Sequence, residues 1–220
     1  MIRATIFDCD GVLVDSTKTS GDRFLMAAAE RGLLITEEIR AQKDIIPKIG
    51  IRAIRKFWPD EDEAAFYRVW EDIDMTFPFE PIPGTRETFE DLRRRHYVSS
   101  VFSNRGPRTL GPVVERLGVA HICYKLWGCE GNGFVKPDPR SIEPLLRMYL
   151  SELNIRSDEV LLVGDSHESE WPVAYLKRLR FVGVLTGTST MEDFLSAKVP
   201  AENIIQSIAD LPTWLDNYDR

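Results

Sequence analysis

The sequence is poor in cysteine and histidine, with three of each among its 220 residues. The cysteine count is odd, and Cys9, Cys123 and Cys129 include no Cys-x-x-Cys pair. These features argue against a disulfide framework and against a thiolate metal site. Reduced thiols are typical of the cytoplasm, and we therefore expect a cytoplasmic protein.

Long apolar runs and an excess of positive charge are also missing. No apolar segment reaches the length of a membrane span, and residues 1–5 run directly into a strand, which leaves no room for a secretory signal. The net charge of −7 argues against a general nucleic-acid-binding surface, although a local basic pocket is compatible with it. We expect a small-molecule partner, with no nucleic acid and no membrane.

What is present is the composition of an ordinary globular protein, with 43% hydrophobic and 29% charged residues. The length suits one larger domain, or a domain with an inserted module. A monomer and a homodimer both remain open, because apolar helix faces can pack within one chain or between two.

Two aspartates follow the first apolar stretch, to which Ile6 and Phe7 contribute. Residues two apart on a strand point to the same side, so Asp8 and Asp10 face one point if the strand keeps its pleat. Two carboxylates that close repel each other, and a shared proton, a lysine or a divalent metal would offset the charge. The pattern indicates a place where a cation and a charged substrate meet.

Residues 17–78 carry apolar residues at helical spacing, and their aromatic residues indicate core packing. Helices are predicted at 23–34, 37–46, 51–57 and 61–77. From residue 85 helices alternate with strands, after a proline-rich linker at 78–84. The predicted strands are 98–102, 122–124, 160–163, 181–185 and 203–205, and the predicted helices are 85–95, 109–117, 139–150 and 208–215.

This alternation predicts an α/β fold, a doubly wound parallel sheet with an inserted all-helical module. In such sheets ligands bind beyond the carboxyl ends of the strands. Asp8, Ser103 and Asp165 each follow a predicted strand, so we expect one edge of the sheet to gather them.

Four short motifs lie at these strand ends or in adjacent loops. In chain order they are Asp8-Cys9-Asp10-Gly11 with Asp15, Ser103-Asn104, Lys136-Pro137-Asp138-Pro139, and Gly164-Asp165-Ser166 followed by Glu170. Their residue types and order resemble those of the haloacid dehalogenase-like (HAD) superfamily of hydrolases. The closest likeness is to the phosphatase branch, of phosphoglycolate phosphatase and β-phosphoglucomutase type, whose helical cap follows the first motif.

The resemblance implies a Rossmann-like core formed by residues 1–16 and 79–220, with a helical cap at 17–78. In such proteins the cap closes over the active site and its loops help to select the substrate. The resemblance also implies that the strand carrying Asp165 neighbours the strand carrying Asp8.

By the same resemblance, the protein is a Mg²⁺-dependent phosphomonoester hydrolase that acts on a small phosphorylated metabolite through an aspartyl-phosphate. Asp8 would be the nucleophile, and Asp10 the general acid and base. Ser103, the backbone N–H of Asn104 and Lys136 would stabilise the transferring phosphoryl group.

The metal would be held by three aspartates: Asp8, Asp10 through its carbonyl, and Asp165. Oxygen ligands without a histidine or cysteine cluster favour Mg²⁺. The family usually places an aspartate four or five residues after the last of these, where this chain has Ser169 and Glu170. Glu170 is thus either a metal-site residue or a solvated acid at a helix start, and Ser166 or Ser169 are the alternatives.

Three basic residues are candidates for substrate specificity: Lys48 and Arg52 in the predicted cap, and Arg105 directly after the Ser-Asn motif. They would meet a second anionic group of the substrate, or form a solvated basic face. The sequence does not name the substrate. A phosphomutase and a non-catalytic protein that binds phosphometabolites stay open as alternatives, whereas Asp10 argues against the dehalogenase and phosphonatase branches.

Overall fold

The computed structural model describes residues 1–46, 52–128 and 133–218. The strands are β1 (Ala4–Phe7), β2 (Val98–Phe102), β3 (Lys125–Trp127), β4 (Val160–Gly164), β5 (Arg180–Val184) and β6 (Ile204–Ile205). The first α-helices in these ranges are α1 (Thr17–Glu30), α2 (Glu37–Ala41), α3 (Arg52–Phe57), α4 (Glu63–Thr76) and α5 (Thr85–Arg94). The later ones are α6 (Pro107–Arg116), α7 (Glu143–Leu153), α8 (Glu170–Lys177), α9 (Met191–Ser196) and α10 (Leu211–Tyr218).

The six strands form one parallel sheet in the order β3-β2-β1-β4-β5-β6. Strand β1 lies in the middle, with Phe7 opposite Val101 on one side and Val163 on the other. The strand order reverses at β1, so the sheet is doubly wound as predicted, and the strand carrying Asp165 neighbours the strand carrying Asp8. All six strands end at the same edge, where a doubly wound sheet binds its ligands.

Strands β1, β2, β4 and β5 are almost wholly buried, as in a parallel sheet that is covered on both faces. Every residue of β4 is buried, which explains why this strand reads as a continuous apolar run. Two hydroxyl pairs satisfy polar side chains within the core: Thr5 with Ser99 at 3.0 Å, and Tyr149 with Ser100 at 2.7 Å.

The chain divides into two compact units, Met1–Asp15 with Pro81–Arg220, and Ser16–Glu80. The second unit contains α1 to α4, and its core is rich in aromatic side chains. The Phe24 ring lies 4.9 Å from that of Phe66 and 5.6 Å from that of Trp58, measured between centroids. The aromatic residues of this segment therefore form a core, as predicted. That the helical unit serves as a cap stays a prediction.

Within the α/β unit, hydrogen bonds join the segment at which the chain leaves the unit to the segment at which it returns. Val14 forms an antiparallel bridge with Pro81, and the Ile82 N–H donates to the Leu13 carbonyl at 2.9 Å. The Thr85 hydroxyl donates to the same carbonyl at 3.2 Å. The inserted segment therefore begins and ends at neighbouring positions of the sheet domain.

Some predicted boundaries were wrong. Helix α1 begins at Thr17 rather than at residue 23, so its first turns are formed by polar residues. Gly21 in these turns lies close to the Lys43 carbonyl, because a Cβ there would lie 2.6 Å from that oxygen. The third strand is Lys125–Trp127 rather than 122–124, because Ile122 is the last residue of a 3₁₀ turn (Ala120–Ile122).

Two predicted helices also divide. Residues 37–46 form α2 and a 3₁₀ turn (Lys43–Ile45), and residues 139–142 form a 3₁₀ turn before α7. Within the described ranges, no helix is both long and apolar enough to cross a membrane.

Candidate active site

The predicted site residues follow three neighbouring strands that end at the same edge of the sheet. Asp8 follows β1, Ser103 follows β2, and Asp165 follows β4. Backbone hydrogen bonds continue the sheet past the strand ends, since the Asp8 N–H donates to the Val163 carbonyl at 2.9 Å. All three side chains are buried. The sheet topology thus produces the grouping that the sequence predicts.

Three carboxylates form the centre of this edge. Asp8, Asp165 and Glu170 each place one oxygen so that the three atoms lie within 4.8 Å of one another. The Lys136 ammonium contacts Asp8 Oδ1 at 2.6 Å and Glu170 Oε1 at 2.6 Å. Hydrogen-bonded ion pairs of this length are strong when buried, and these four residues are all buried.

Glu170 is held inside the protein at the first position of α8. Only 1% of its side chain is exposed, so it is not the solvated helix-start acid that the sequence left open. Its Oε2 accepts a hydrogen bond from the Ser166 N–H at 3.1 Å. Gly164 makes room for it, because a Cβ at that position would lie 2.4 Å from Glu170 Cγ.

The two serines named as alternatives shape the turn before α8. Ser166 Oγ accepts hydrogen bonds from the N–H groups of Glu168 and Ser169, at 3.2 and 3.1 Å. His167 lies in the same turn, and its Nδ1 is 2.9 Å from Ser189 Oγ. Among the described residues, His167 is not part of the carboxylate group.

A loop that the sequence analysis missed holds Asp165. The Thr188 N–H donates to Asp165 Oδ2 at 2.7 Å, and the Ser189 N–H donates to its carbonyl at 3.1 Å. Gly187 packs against the carboxylate, because a Cβ there would lie 1.9 Å from Oδ2. The signal for this loop was its place after β5, the strand beside β4.

Gly11 crowds the same carboxylate from the first motif. Its φ of +76° lies in the left-handed region that favours glycine, and a Cβ there would lie 2.7 Å from Asp165 Oδ2. The Thr186 hydroxyl donates to the Gly11 carbonyl at 2.5 Å, which ties the first motif to the loop after β5.

The buried carboxylates carry more negative charge than Lys136 balances. Burial, followed by repulsion from Glu170, raises the pKa of Asp165 to about 7. Burial also raises the pKa of Asp8 well above its usual range, with Glu170 and Asp165 adding to the effect and Lys136 opposing it. Burial lowers the pKa of Lys136, but attraction to Asp8 and Glu170 outweighs it, and the net shift is upward.

An oxygen-lined group with this charge suits a hard divalent cation. Mg²⁺ prefers carboxylate oxygens, and a cation among Asp8, Asp165 and Glu170 would offset the repulsion between these carboxylates. The residues present therefore fit a magnesium ion.

Asp10 departs from the arrangement that strand pleating predicts. The strand ends at Phe7, before either acid, so the alternation does not carry the two carboxylates to one point. The Asp10 carboxylate instead pairs with Arg105, whose Nε and Nη2 donate to Oδ2 and Oδ1 at 2.8 and 2.7 Å. From the sequence, Arg105 was predicted to contribute to substrate specificity, but its pairing with Asp10 was not predicted.

Asn104 fixes the loop that carries Lys136. Its side-chain Oδ1 accepts from the Lys136 N–H at 2.9 Å, and its Nδ2 donates to the Lys136 carbonyl at 3.2 Å. Ser103 Oγ accepts from the Arg105 N–H at 3.1 Å, which shapes the turn after β2. The prediction concerned only the backbone N–H of Asn104, whereas the structure shows that its side chain binds the backbone of Lys136.

The remaining specificity candidates belong to the helical unit. Arg52 begins α3 and is exposed. Lys48 lies outside the described residues. Cys9, between the two aspartates of the first motif, is fully buried.

Comparison with known proteins agrees with this geometry. The family model described as haloacid dehalogenase-like hydrolase matches residues 5–170. The pyrophosphatase PpaX of Listeria monocytogenes is 24% identical over 174 residues, 76% of this chain and 76% of that protein. The phosphoglycolate phosphatase of Haemophilus influenzae is 30% identical over 84 residues, 38% of this chain and 36% of that protein.

Solved structures share the fold. A Bacteroides fragilis protein described as a haloacid dehalogenase-like hydrolase superposes with a TM-score of 0.79 at 19% identity, covering 96% of this chain and 100% of that one. A HAD-superfamily hydrolase of subfamily IA from Geobacter sulfurreducens gives 0.69 at 19%, covering 97% and 96%. At this identity the likeness concerns the fold alone. Because the family model spans well over half of its residues, the chain belongs to the haloacid dehalogenase-like hydrolases.

Proposed function

We propose that this protein is a Mg²⁺-dependent phosphomonoester hydrolase that acts on a small phosphorylated metabolite through an aspartyl-phosphate on Asp8. The observation that carries the proposal is the buried group of Asp8, Asp165 and Glu170, with Lys136 bonded to the first and the last. The names of the two curated relatives, a pyrophosphatase and a phosphoglycolate phosphatase, support it.

Asp8 performs the covalent step. Its carboxylate oxygen attacks phosphorus, an O–P bond forms, and the bond from phosphorus to the leaving-group oxygen breaks. Asp10 gives a proton to that oxygen, so the product leaves as an alcohol. Asp10 then takes a proton from the water that attacks the aspartyl-phosphate, which restores Asp8 and releases phosphate.

Ser103, Asn104 and Lys136 stabilise the phosphoryl oxygens during transfer. The Lys136 ammonium already contacts Asp8 Oδ1, so a phosphoryl group on Asp8 would lie beside a fixed cation. The paired hydrogen bonds between the Asn104 side chain and the Lys136 backbone hold that cation in place before the reaction starts. Donors fixed in advance stabilise a transition state without the cost of reorganisation.

Asp8, Asp165 and Glu170 would hold the Mg²⁺, together with the Asp10 carbonyl that the family resemblance assigns. When bound, Mg²⁺ supplies positive charge that reduces the repulsion between the Asp8 carboxylate and an anionic phosphoryl group. We further propose that the helical unit Ser16–Glu80 acts as the cap, and that Lys48 and Arg52 contribute to substrate choice.

The test is phosphate release from a panel of phosphorylated metabolites, in Mg²⁺ or in EDTA. Asp8→Asn keeps the shape of the side chain but removes the nucleophile, and we expect it to lower release by more than about 1,000-fold. Asp138→Asn is the matched control, because Asp138 lies in the Lys-Pro-Asp-Pro motif but pairs with the exposed Arg140. We expect this variant to keep its activity.

Equal release by the wild type and Asp8→Asn would exclude Asp8 as the nucleophile. A phosphomutase would need a bisphosphate primer and would convert its substrate with little release of phosphate. No turnover of any compound by folded protein with Mg²⁺ would favour a binding protein.

A further inference from the structure

The loop after β5 contacts the first motif at Gly11. The Thr186 hydroxyl donates to the Gly11 carbonyl at 2.5 Å, across 175 positions of the chain. The Gly11 N–H donates to the Val14 carbonyl at 2.9 Å. Both polar groups of the Gly11 backbone are therefore engaged, one by the turn of its own motif and the other by Thr186.

Gly11 adjoins two of the groups assigned to the metal. The Asp10 carbonyl belongs to the peptide that carries the Gly11 N–H, and a trans peptide such as this one directs its two polar groups to opposite sides. The bond of that N–H to Val14 therefore sets the direction of the Asp10 carbonyl. Gly11 also packs against the Asp165 carboxylate, because a Cβ on Gly11 would lie 2.7 Å from Oδ2.

The same carboxylate is held by the loop after β5. A Cβ on Gly187 would lie 1.9 Å from Asp165 Oδ2, and a Cβ on Gly11 would lie 2.9 Å from the Cα of Gly187. The two glycine backbones therefore touch each other as well as the carboxylate, and the Thr188 N–H donates to the same Oδ2 at 2.7 Å. Because a hydrogen bond has a preferred direction, the Thr186 hydroxyl fixes how these two backbone segments lie against each other.

We propose that Thr186 is a positioning residue of the metal site. Its hydroxyl holds Gly11 against Asp165, and this contact fixes the spacing of the Asp10 carbonyl and the Asp165 carboxylate before an ion binds. Ligands that are already in place bind a metal more tightly, since they do not have to be ordered when it binds. The inference rests on the proposed function, which assigns these two groups to Mg²⁺, and adds the residue that sets their separation.

The test is a calorimetric titration of the metal-free protein with Mg²⁺. Thr186→Val keeps the shape of the side chain without the hydroxyl, and we expect it to weaken Mg²⁺ binding by about 10- to 100-fold. Thr186→Ser keeps a hydroxyl and should bind Mg²⁺ as the wild type does. The matched control is Thr190→Val in the same loop, because the Thr190 hydroxyl caps α9 by accepting from the Asp193 N–H. This control should lower the urea midpoint and leave the Mg²⁺ affinity unchanged.

Three outcomes would overturn the proposal: an unchanged Mg²⁺ affinity in Thr186→Val, an equal loss in Thr190→Val, or a loss in Thr186→Ser as large as that in Thr186→Val. The last would mean that the shape of the threonine matters rather than its hydrogen bond. If the valine variant does not fold, Thr186→Ala removes the same hydroxyl and takes its place in each comparison.

Amide hydrogen exchange in EDTA, followed by NMR, gives a second readout that needs neither a metal nor turnover. The Thr188 N–H is bonded to Asp165 Oδ2, and we expect it to exchange about 3- to 10-fold faster in Thr186→Val than in the wild type, the value of one lost hydrogen bond. Thr190→Val should keep the wild-type rate. Equal exchange in Thr186→Val and the wild type would contradict the proposal. If no phosphate ester is hydrolysed, the proposed function fails, while this comparison still supports or overturns the role of Thr186.

Discussion

A buried lysine contacts two of the buried carboxylates. Lys136 is 3% exposed and contacts both Asp8 and Glu170. Without it, Asp8 and Glu170 would lose the ammonium that both contact, and breaking a buried pair in this way costs about 3–5 kcal/mol. We expect Lys136→Met to lower the free energy of unfolding by about that amount in EDTA, measured by urea denaturation.

Lys177→Met is the matched control, because Lys177 pairs with Glu143 on a more exposed surface and the change should cost about 1 kcal/mol or less. Mg²⁺ should recover part of the stability lost in Lys136→Met and none in the control. A loss in Lys136→Met no larger than in Lys177→Met would show that the carboxylates do not depend on the lysine.

The pKa of Asp165 makes the stability of the metal-free protein depend on pH. It is 3.8 ordinarily and about 7 in the folded chain, so between these values the folded state holds a proton that the unfolded state has released. The resulting stabilisation is complete below pH 3.8 and is lost as the pH rises through about 7. We expect the urea midpoint in EDTA to fall between pH 5 and pH 8.

Asp165→Asn should flatten this part of the profile, because the amide does not titrate. Saturating Mg²⁺ should also reduce the slope, since it binds the deprotonated carboxylates and stabilises the folded state most at high pH. A midpoint that rises from pH 5 to pH 8 in EDTA would contradict the raised pKa.

The loop after β5 packs directly against the carboxylate of Asp165. Gly187 allows this contact only because it has no side chain: a Cβ would lie 1.9 Å from Oδ2. We expect Gly187→Ala to displace the carboxylate and to raise the Mg²⁺ concentration for half-maximal phosphate release by at least about 10-fold, an effect typical of disturbing a metal ligand's surroundings.

Gly111→Ala provides the comparison for this change. Gly111 lies inside α6, and a Cβ there meets no atom of the described residues within 4 Å. Alanine in a helix interior should stabilise the protein by about 0.5–1 kcal/mol and leave the Mg²⁺ dependence unchanged. An equal response to Mg²⁺ in both variants would show that the loop does not support the proposed metal site.

Buried strands were the easiest elements to predict. Strand β4 has both faces covered and reads as an apolar run, and its carboxyl end identified Asp165. Strand β3 is a half-buried three-residue element, Lys125–Trp127, and its neighbours in the chain are no less apolar, so its position was predicted wrongly. Short strands at the edge of a sheet are defined by their pairing rather than by their own sequence.

The same distinction applies to the site. Acidic and basic motif residues at strand ends were identified because strand polarity decides where they lie. The pairing of Arg105 with Asp10 joins residues 95 positions apart in the chain, and no local pattern encodes it. Threonine and glycine in the loop after β5 are ordinary turn residues, so their residue types did not indicate the contact with Asp165, and only the position of the loop did.

The helical unit is an insertion, and the residues of the α/β unit on either side of it are paired with each other. Where the chain leaves the α/β unit and returns to it, Val14 forms a bridge with Pro81 and the Ile82 N–H donates to the Leu13 carbonyl. We expect a variant in which residues 16–80 are replaced by a short glycine-serine linker to fold cooperatively, since the linker needs to span only neighbouring positions. Circular dichroism and urea denaturation would check it.

Such a variant also tests the assignment of the cap. We expect it to discriminate among phosphorylated metabolites less than the full chain does. A control linker of the same length inserted between Leu117 and Val119, in the turn after α6, should leave that discrimination in place. A chain that lacks residues 16–80 and fails to fold would show that the α/β unit depends on the helical one.

The ribosome makes the middle strand of the sheet long before either of its neighbours. Strand β1 ends at Phe7, but β2 begins at Val98 and β4 ends at Gly164. At about 5–20 residues per second, roughly 8–30 s separate the synthesis of β1 from that of its second partner. The helices of Ser16–Glu80 have local contacts and form sooner. The nascent chain therefore carries β1 without a partner strand until β2 is made, and with one edge unpaired until β4 is made. An unpaired apolar strand is the kind of segment that chaperones bind and that aggregates when synthesis stops early.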